Sequence, residues 1–153
     1  MLRVGDRRAS LLQRVFGPRQ DPQSQYAAVV PKFVTAALRG ESPVIYGDGS
    51  QSRDFCFIDN VIEANLKAAD APGISGEVFN VACGEATTLL EVVAAVGKQL
   101  GKSLVARHEP PRAGDIKHSL ADIEKAKKLL GYTASVSFAE GLKRTIEWYR
   151  LQS

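Results

Sequence analysis

Apolar residues recur at helical spacing through YAAVVPKFVTAALRG, residues 26–40, which predicts one amphipathic helix. Pro31 has no amide hydrogen to give to an interior helix bond, so a helix beginning at Val29 or Val30 fits better than one beginning at Tyr26. Gly40 supplies a stop. PVIYG (43–47) predicts a short strand, GDGSQ (47–51) the turn after it, and DFCFI (54–58) a second strand. Asp59 or Asn60 would cap a helix running to about Asp70. Beyond the turn PGISG (72–76), EVFNVAC (77–83) reads as a strand buried on both faces. Thr88 and Glu91 form a capping box that opens a helix stopping at Gly101. SLVARHEP (103–110) predicts a further strand and PPRAGD (110–115) a loop. Asp122 starts a helix, IEKAKKLLG, that ends at Gly131. Ser137 and Glu140 form a second capping box, for a last helix through Tyr149. Strands alternating with helices indicate α/β or α+β architecture and not a bundle or a sandwich.

Composition narrows the function classes. At 153 residues, 44% hydrophobic and 24% charged, the chain suits one domain with a core. Its 20 basic and 17 acidic residues leave a net charge of +3, too balanced to indicate nucleic acid. Its apolar stretches are far shorter than the ~20 residues that cross a bilayer, so the expectation is a cytoplasmic protein with no membrane partner. Cys56 and Cys83 lie in apolar segments and read as buried reduced thiols. No cluster of three or four metal ligands stands out. The opening MLRVGDRRASLLQR carries four arginines and one acid. It has the arginine content of a transit peptide but no apolar core for a secretory signal.

The tests for catalytic motifs fail. Gly47 and Gly49 begin G-x-G, yet Ser52 stands where the third glycine belongs and a strand follows, which is the wrong geometry for a dinucleotide loop. There is no Walker loop and no G-x-S-x-G. None of Tyr26, Tyr46, Tyr132 or Tyr149 has lysine four residues later. His108 and His118 are isolated, and solvated or core-capping roles suit them better than catalysis. What remains is a set of arginines in loop settings: Arg53 after the glycine turn, and Arg112 with Asp115 three residues on. Guanidinium matches phosphate oxygens in bidentate fashion, and a neighbouring Asp can accept from ribose hydroxyls. The plainer alternative is surface arginines paired with nearby acids, Arg53 with Asp54.

Several ordered blocks bear on that choice. VFGPRQDP (15–22), AAVVPKF (27–33), GDGSQSRDFCFIDNVIEANLKA (47–68), FNVACGE (79–85), PPRAGDIKHSLADIEKAKKLLGY (110–132) and EGLKRTIEWY (140–149) resemble the C-terminal half of extended short-chain dehydrogenase/reductase proteins. The closer resemblance is to NAD-dependent nucleotide-sugar epimerases and dehydratases. It runs from about Val15 to Tyr149, and RQDP followed by YAAVVPKF is similar to the branch acting on UDP-N-acetylhexosamines or UDP-uronic acids at C4. The resemblance implies an α/β fold: the C-terminal part of a Rossmann-like protein with its small α/β substrate-binding domain, the N-terminal NAD-binding βαβ units being absent.

It also implies roles. Arg53 is similar to the arginine that clamps the substrate diphosphate, and Arg112 and Asp115 to residues holding diphosphate and ribose. Ala28, Val29 and Phe33 match the segment lining the uracil pocket, and Tyr46 would lie near the uridine. The family reaction oxidises the sugar C4 hydroxyl by hydride transfer to NAD, then returns hydride to the opposite face. The catalytic Ser or Thr, the Y-x-x-x-K pair and the NAD loop of the family are not found, so no catalytic or cofactor-binding residue is assigned and NAD is not expected to bind this chain alone. Arg14 stands where the family has an Asn that contacts the diphosphate, and Glu85 and Ala86 stand where some relatives carry an arginine. Residues 1–14 do not resemble the family, which suggests a frameshift or a fragment start ahead of a substrate-binding half at 15–153. Three readings follow: the UDP-sugar-binding portion of a 4-epimerase, inactive alone; the same portion of a dehydratase, decarboxylase or reductase; or a non-catalytic nucleotide-sugar module or a partner that completes a separately encoded NAD-binding half. Family members are often homodimers.

Overall fold

Short strands, paired two and three at a time, hold helices in two layers around them. The computed structural model describes residues 8–11, 14–23 and 29–152; Ala28 and most of the N-terminal segment lie outside the described residues. In chain order the elements are β1 (Arg8–Leu11), β2 (Val15–Phe16), α1 (Val29–Leu38), β3 (Val44–Tyr46), β4 (Ser52–Arg53), β5 (Cys56–Phe57), α2 (Ile58–Asp70), β6 (Val78–Val81), β7 (Thr87–Thr88), α3 (Leu89–Leu100), β8 (Arg107–Glu109), β9 (His118–Ser119), α4 (Glu124–Leu130) and α5 (Phe138–Arg150). β1 runs parallel to β6, β2 to β5 and β3 to β8, while β4 lies between antiparallel β7 and parallel β9. This is the mixed α/β architecture that the alternating elements predict. Among the described residues no helix is long and apolar enough to cross a membrane.

Two apolar clusters organise the layers. The first gathers Val30, Phe33, Val34 and Ala37 of α1, Val92, Val93 and Val96 of α3 and Leu142 and Ile146 of α5 around Phe16, Ile45, Phe55 and Phe57. Phe16 meets the edge of Phe57 at 5.6 Å between centroids, an arrangement that ring quadrupoles favour. Gly141 is what lets α5 come this close: a Cβ there would stand 2.6 Å from the Phe57 ring. The second cluster packs Val61 and Ala64 of α2 and Ala126 and Leu130 of α4 against Phe79 and Val81 of β6, with Tyr132 at its centre.

The helix signals hold where the local chemistry is complete. Thr88 accepts from Glu91 N and Glu91 accepts from Thr88 N, a full capping box, and Gly101 and Gly131 close α3 and α4 in the left-handed region. At Ser137 only half of the predicted box forms. Its hydroxyl accepts from Glu140 N, while the Glu140 carboxylate turns to Arg144 at 2.8 Å. Asp122 accepts from Glu124 N at 2.9 Å, and α4 begins at Glu124.

Three expectations need correction. Neither Asp59 nor Asn60 caps α2, which opens at Ile58 behind Phe57 with no side-chain cap. Asp59 pairs with Arg144 at 3.1 Å. Asn60 is fully buried and reads the backbone of Val136, donating to its carbonyl at 2.8 Å and accepting from its amide at 2.9 Å. The strand at 77–83 is not buried on both faces: Phe79 and Val81 point into the second cluster, but Val78 is 50% exposed. The helices α2 and α4 contribute to one side of β6 only. The strand read across 103–110 shrinks to Arg107–Glu109, where it pairs with β3.

Candidate functional site

The stretch 47–54 is built in two parts. Its turn is fastened by Asp48, whose carboxylate accepts from Ser50 N at 2.9 Å and Ser50 Oγ at 2.7 Å. Those bonds hold the Asp48 carboxyl below its ordinary pKa. Gly49 is needed for packing, since a Cβ there would meet Leu90 at 2.8 Å. β4 follows, and its parallel pairing with β9, Arg53 opposite Ser119, draws the 110–117 loop beneath Arg53.

Arg53 is only 4% exposed. Its Nη1 donates to the carbonyls of Ser52 at 2.8 Å and Lys117 at 3.0 Å, and its Nη2 donates to Asp115 Oδ1 at 2.6 Å. The alternative pairing with Asp54 is therefore wrong. Asp54 is buried on its own account, accepting from Cys83 N and Gly84 N at 2.9 Å each. Successive side chains on extended backbone leave on opposite faces, so neighbours in sequence diverge here.

Arg53 and Asp115 line a cavity of ≈ 540 Å³ together with Val29, Phe33, Tyr46 and Arg112. Six of the seven residues singled out in the sequence thus share one space, and Ala28 lies outside the described residues. The volume is typical of small-molecule sites, roughly 300–1,000 Å³. The Arg112 guanidinium lies 3.8 Å from the centroid of the Tyr46 ring, a cation–π contact that fixes the loop over the cavity's tyrosine. Gln51 also lines the cavity and donates to the Tyr46 carbonyl at 2.6 Å.

Sequence reasoning left two cations of this cavity out of the site: Arg14 and Lys32. Arg14 was visible as a departure from the family pattern, and nothing in the spacing around Lys32 marks it. With Arg14, Lys32, Arg53 and Arg112 set against Glu41 and Asp115, the described lining carries two more positive than negative charges and favours anions. Burial, and next the charge of Arg53, hold Arg14 below the usual guanidinium pKa, while Asp115 acts in the opposite sense.

The remaining singled-out groups serve structure. His108 Nδ1 donates to the Gly47 carbonyl at 2.7 Å, and His118 Nδ1 meets Ser52 Oγ at 2.9 Å. Both cysteines are free thiols, Cys56 buried and Cys83 partly so, and they come together around Tyr132, whose hydroxyl donates to the Ala82 carbonyl at 2.8 Å. A hydrogen bond to Cys56, then burial, pushes the Cys83 thiol up; burial does the same to the Tyr132 phenol. Among the described residues no group of three or more His, Cys, Asp or Glu is placed to hold a metal. Gly47 and Gly49 do not fit a dinucleotide loop. Gly47 and Gly49 are followed by a strand, and the space a pyrophosphate would need at Gly49 is filled by Leu90.

Residues 10–82 match the model of the NAD dependent epimerase/dehydratase family. The chain is 39% identical over 139 residues to the UDP-glucose 4-epimerase of Mycolicibacterium smegmatis, covering 91% of this chain and 44% of that protein. Among solved structures, the UDP-glucose 4-epimerase of Thermotoga maritima with UDP-glucose superposes with a TM-score of 0.87 at 39% identity, over 94% of this chain and 45% of the other. The UDP-N-acetylglucosamine 4-epimerase of Methanobrevibacter ruminantium in complex with UDP-N-acetylmuramic acid gives 0.87 at 41% identity, over 95% and 46%. The chain thus spans a little under half the length of the relatives it matches, and its fold is that of their C-terminal portion. Motif blocks, superposition and relatives agree in likening the chain to the C-terminal portion of members of the NAD dependent epimerase/dehydratase family.

Proposed function

We propose that the chain is the UDP-sugar-binding portion of an NAD-dependent sugar 4-epimerase and does not complete the reaction by itself. The observation that carries this is the convergence of a buried Arg53, its partner Asp115 and the Tyr46-stacked Arg112 on one cavity with an excess of positive charge. In this reading Arg53 and Arg112 hold the diphosphate, Asp115 accepts from the ribose, and Ala28, Val29, Phe33 and Tyr46 flank the base. Holding the nucleotide by its phosphates keeps the sugar's handle fixed while its ring is free to reorient, and binding energy remote from the reacting carbon is what positions it. Because Gly47 and Gly49 do not fit a dinucleotide loop, the redox step is not assigned to residues of this chain, and NAD is expected to need another polypeptide segment. That same misfit favours a second reading, a nucleotide-sugar module completed by a separate NAD-binding half. Dehydratase, decarboxylase and reductase reactions would use the same handle.

Calorimetric titration tests the handle. UDP should bind the intact chain, and NAD should give no measurable affinity. Arg53→Ala should weaken UDP by ~1.5–3 kcal/mol, the usual contribution of a charge-assisted contact. Arg53 also ties three groups of the fold together, so Arg112→Ala, on a solvent-exposed loop, separates loss of binding from loss of folding. UDP affinity unchanged in both variants would rule the clamp out.

A further inference from the structure

The two cysteines meet between β5 and the turn after β6. Cys83 Sγ donates to the Phe55 carbonyl at 3.4 Å, on the peptide that leads into Cys56, and the two thiols hydrogen-bond to each other. Asn60 Nδ2 donates to Cys83 Sγ at 3.8 Å. Tyr132 touches both sides: its hydroxyl lies 3.9 Å from Cys56 Sγ and donates to the carbonyl of Ala82. The backbone is pinned under each sulfur, Cys56 N donating to the Arg14 carbonyl at 3.2 Å and Cys83 N to Asp54 Oδ1 at 2.9 Å. Side chains that already meet sulfur to sulfur reach bonding distance by rotation, with the strand pairings kept.

Access to the pair is unequal. Cys56 is 1% exposed. Cys83 is partly exposed and lines a second cavity, of ≈ 340 Å³, with Phe55, Ile123 and Phe138. Phe55 is the one residue this cavity shares with the lining of the first. Ionisation is unequal in the other sense. The hydrogen bond between the thiols holds Cys56 below the ordinary thiol pKa and Cys83 above it, so the first proton leaves from the Cys56 side. The sulfur that a reagent reaches and the sulfur that ionises are therefore neighbours in contact. That arrangement lets one sulfur be oxidised and the other resolve it to a disulfide.

We propose that Cys56 and Cys83 are a redox pair, which a hydroperoxide entering the second cavity converts to an intrachain disulfide. One sulfur attacks the peroxide. The O–O bond breaks, a sulfenic acid forms, and the other oxygen leaves as water or an alcohol with that thiol's proton. The second sulfur then attacks the sulfenic sulfur, forming the S–S bond and releasing the hydroxyl as water with the second proton. The two sulfurs together give up two electrons, and the peroxide takes them. The bridge closes a loop over residues 57–82, which carries α2 and β6, and so removes freedom from the unfolded chain. This holds whether or not the first cavity takes a nucleotide.

The test treats the full chain, reduced and then freed of reductant, with hydrogen peroxide. The product is alkylated in denaturant and mapped by mass spectrometry without reduction. The wild type should lose two hydrogens, take up no alkylating reagent and yield a linked peptide pair carrying Cys56 and Cys83, with no covalent dimer. Dithiothreitol should restore both thiols. The oxidised chain should melt about 5 °C or more above the reduced one, and Cys83→Ser should show no such rise and keep Cys56 free. The wild-type map decides the matter even where the variant fails to fold. Two alkylated thiols after peroxide, sulfinic acid on Cys83 without a linked pair, or covalent dimers in place of the internal bridge would each overturn the proposal. So would a bridge that lowers the melting temperature, or an equal rise in Cys83→Ser.

Discussion

Tyr46 shows how far a single residue was legible. The family resemblance implies a place near the uridine for it, while its contact with Arg112 at 3.8 Å joins β3 to a loop more than sixty residues away, and no local pattern announces that. Arg53 illustrates the converse. Adjacency suggested Asp54 as its partner, but an extended backbone sends consecutive side chains apart, and the true partner, Asp115, arrives through the β4–β9 pairing. Cation–π contacts at exposed sites contribute ~0.5–1 kcal/mol. Tyr46→Ala is therefore expected to lower UDP affinity by about two- to fivefold, and Tyr46→Phe, which keeps the ring face, to preserve it. Titration of both variants checks this, and a loss in Tyr46→Phe equal to that in Tyr46→Ala would mean the hydroxyl matters and not the ring.

Elements with self-contained signals were readable. The α3 capping box and the glycine closures of α3 and α4 need only residues within one turn, and they form as the sequence predicts. The start of α2 was not readable, because Asn60 is drawn away by a tertiary partner. A buried amide that satisfies both backbone groups of Val136 stabilises the fold more than it would as a helix cap, since leaving those groups unpaired in the interior costs about 1–3 kcal/mol. Asn60→Ala should destabilise the chain by about that amount in urea unfolding, with little change in the slope of the transition. A loss under about 0.5 kcal/mol would show that solvent reaches Val136 and that the amide pair is not structural.

At the scale of the whole molecule, the two apolar clusters follow from helix periodicity, whereas the one-sided burial of β6 does not. EVFNVAC is apolar enough for a strand covered on both faces, but helices cover it on one. Val78 at 50%, Ile62 at 51% and Leu66 at 63% exposure leave large apolar side chains in water, and such surface promotes association. Sedimentation velocity across a range of concentrations should show self-association of the isolated chain, reduced in Val78→Lys. A concentration-independent monomer would argue against that surface being adhesive.

The central claim, that one cavity holds a nucleoside diphosphate by its phosphates, is tested most directly by a crystal structure of the chain grown with UDP. The expected result places diphosphate oxygens within hydrogen-bonding distance of Arg53 and Arg112, with the uracil beside Val29, Phe33 and Tyr46. UDP bound elsewhere, or bound in this cavity with its phosphates turned away from both arginines, would contradict the account.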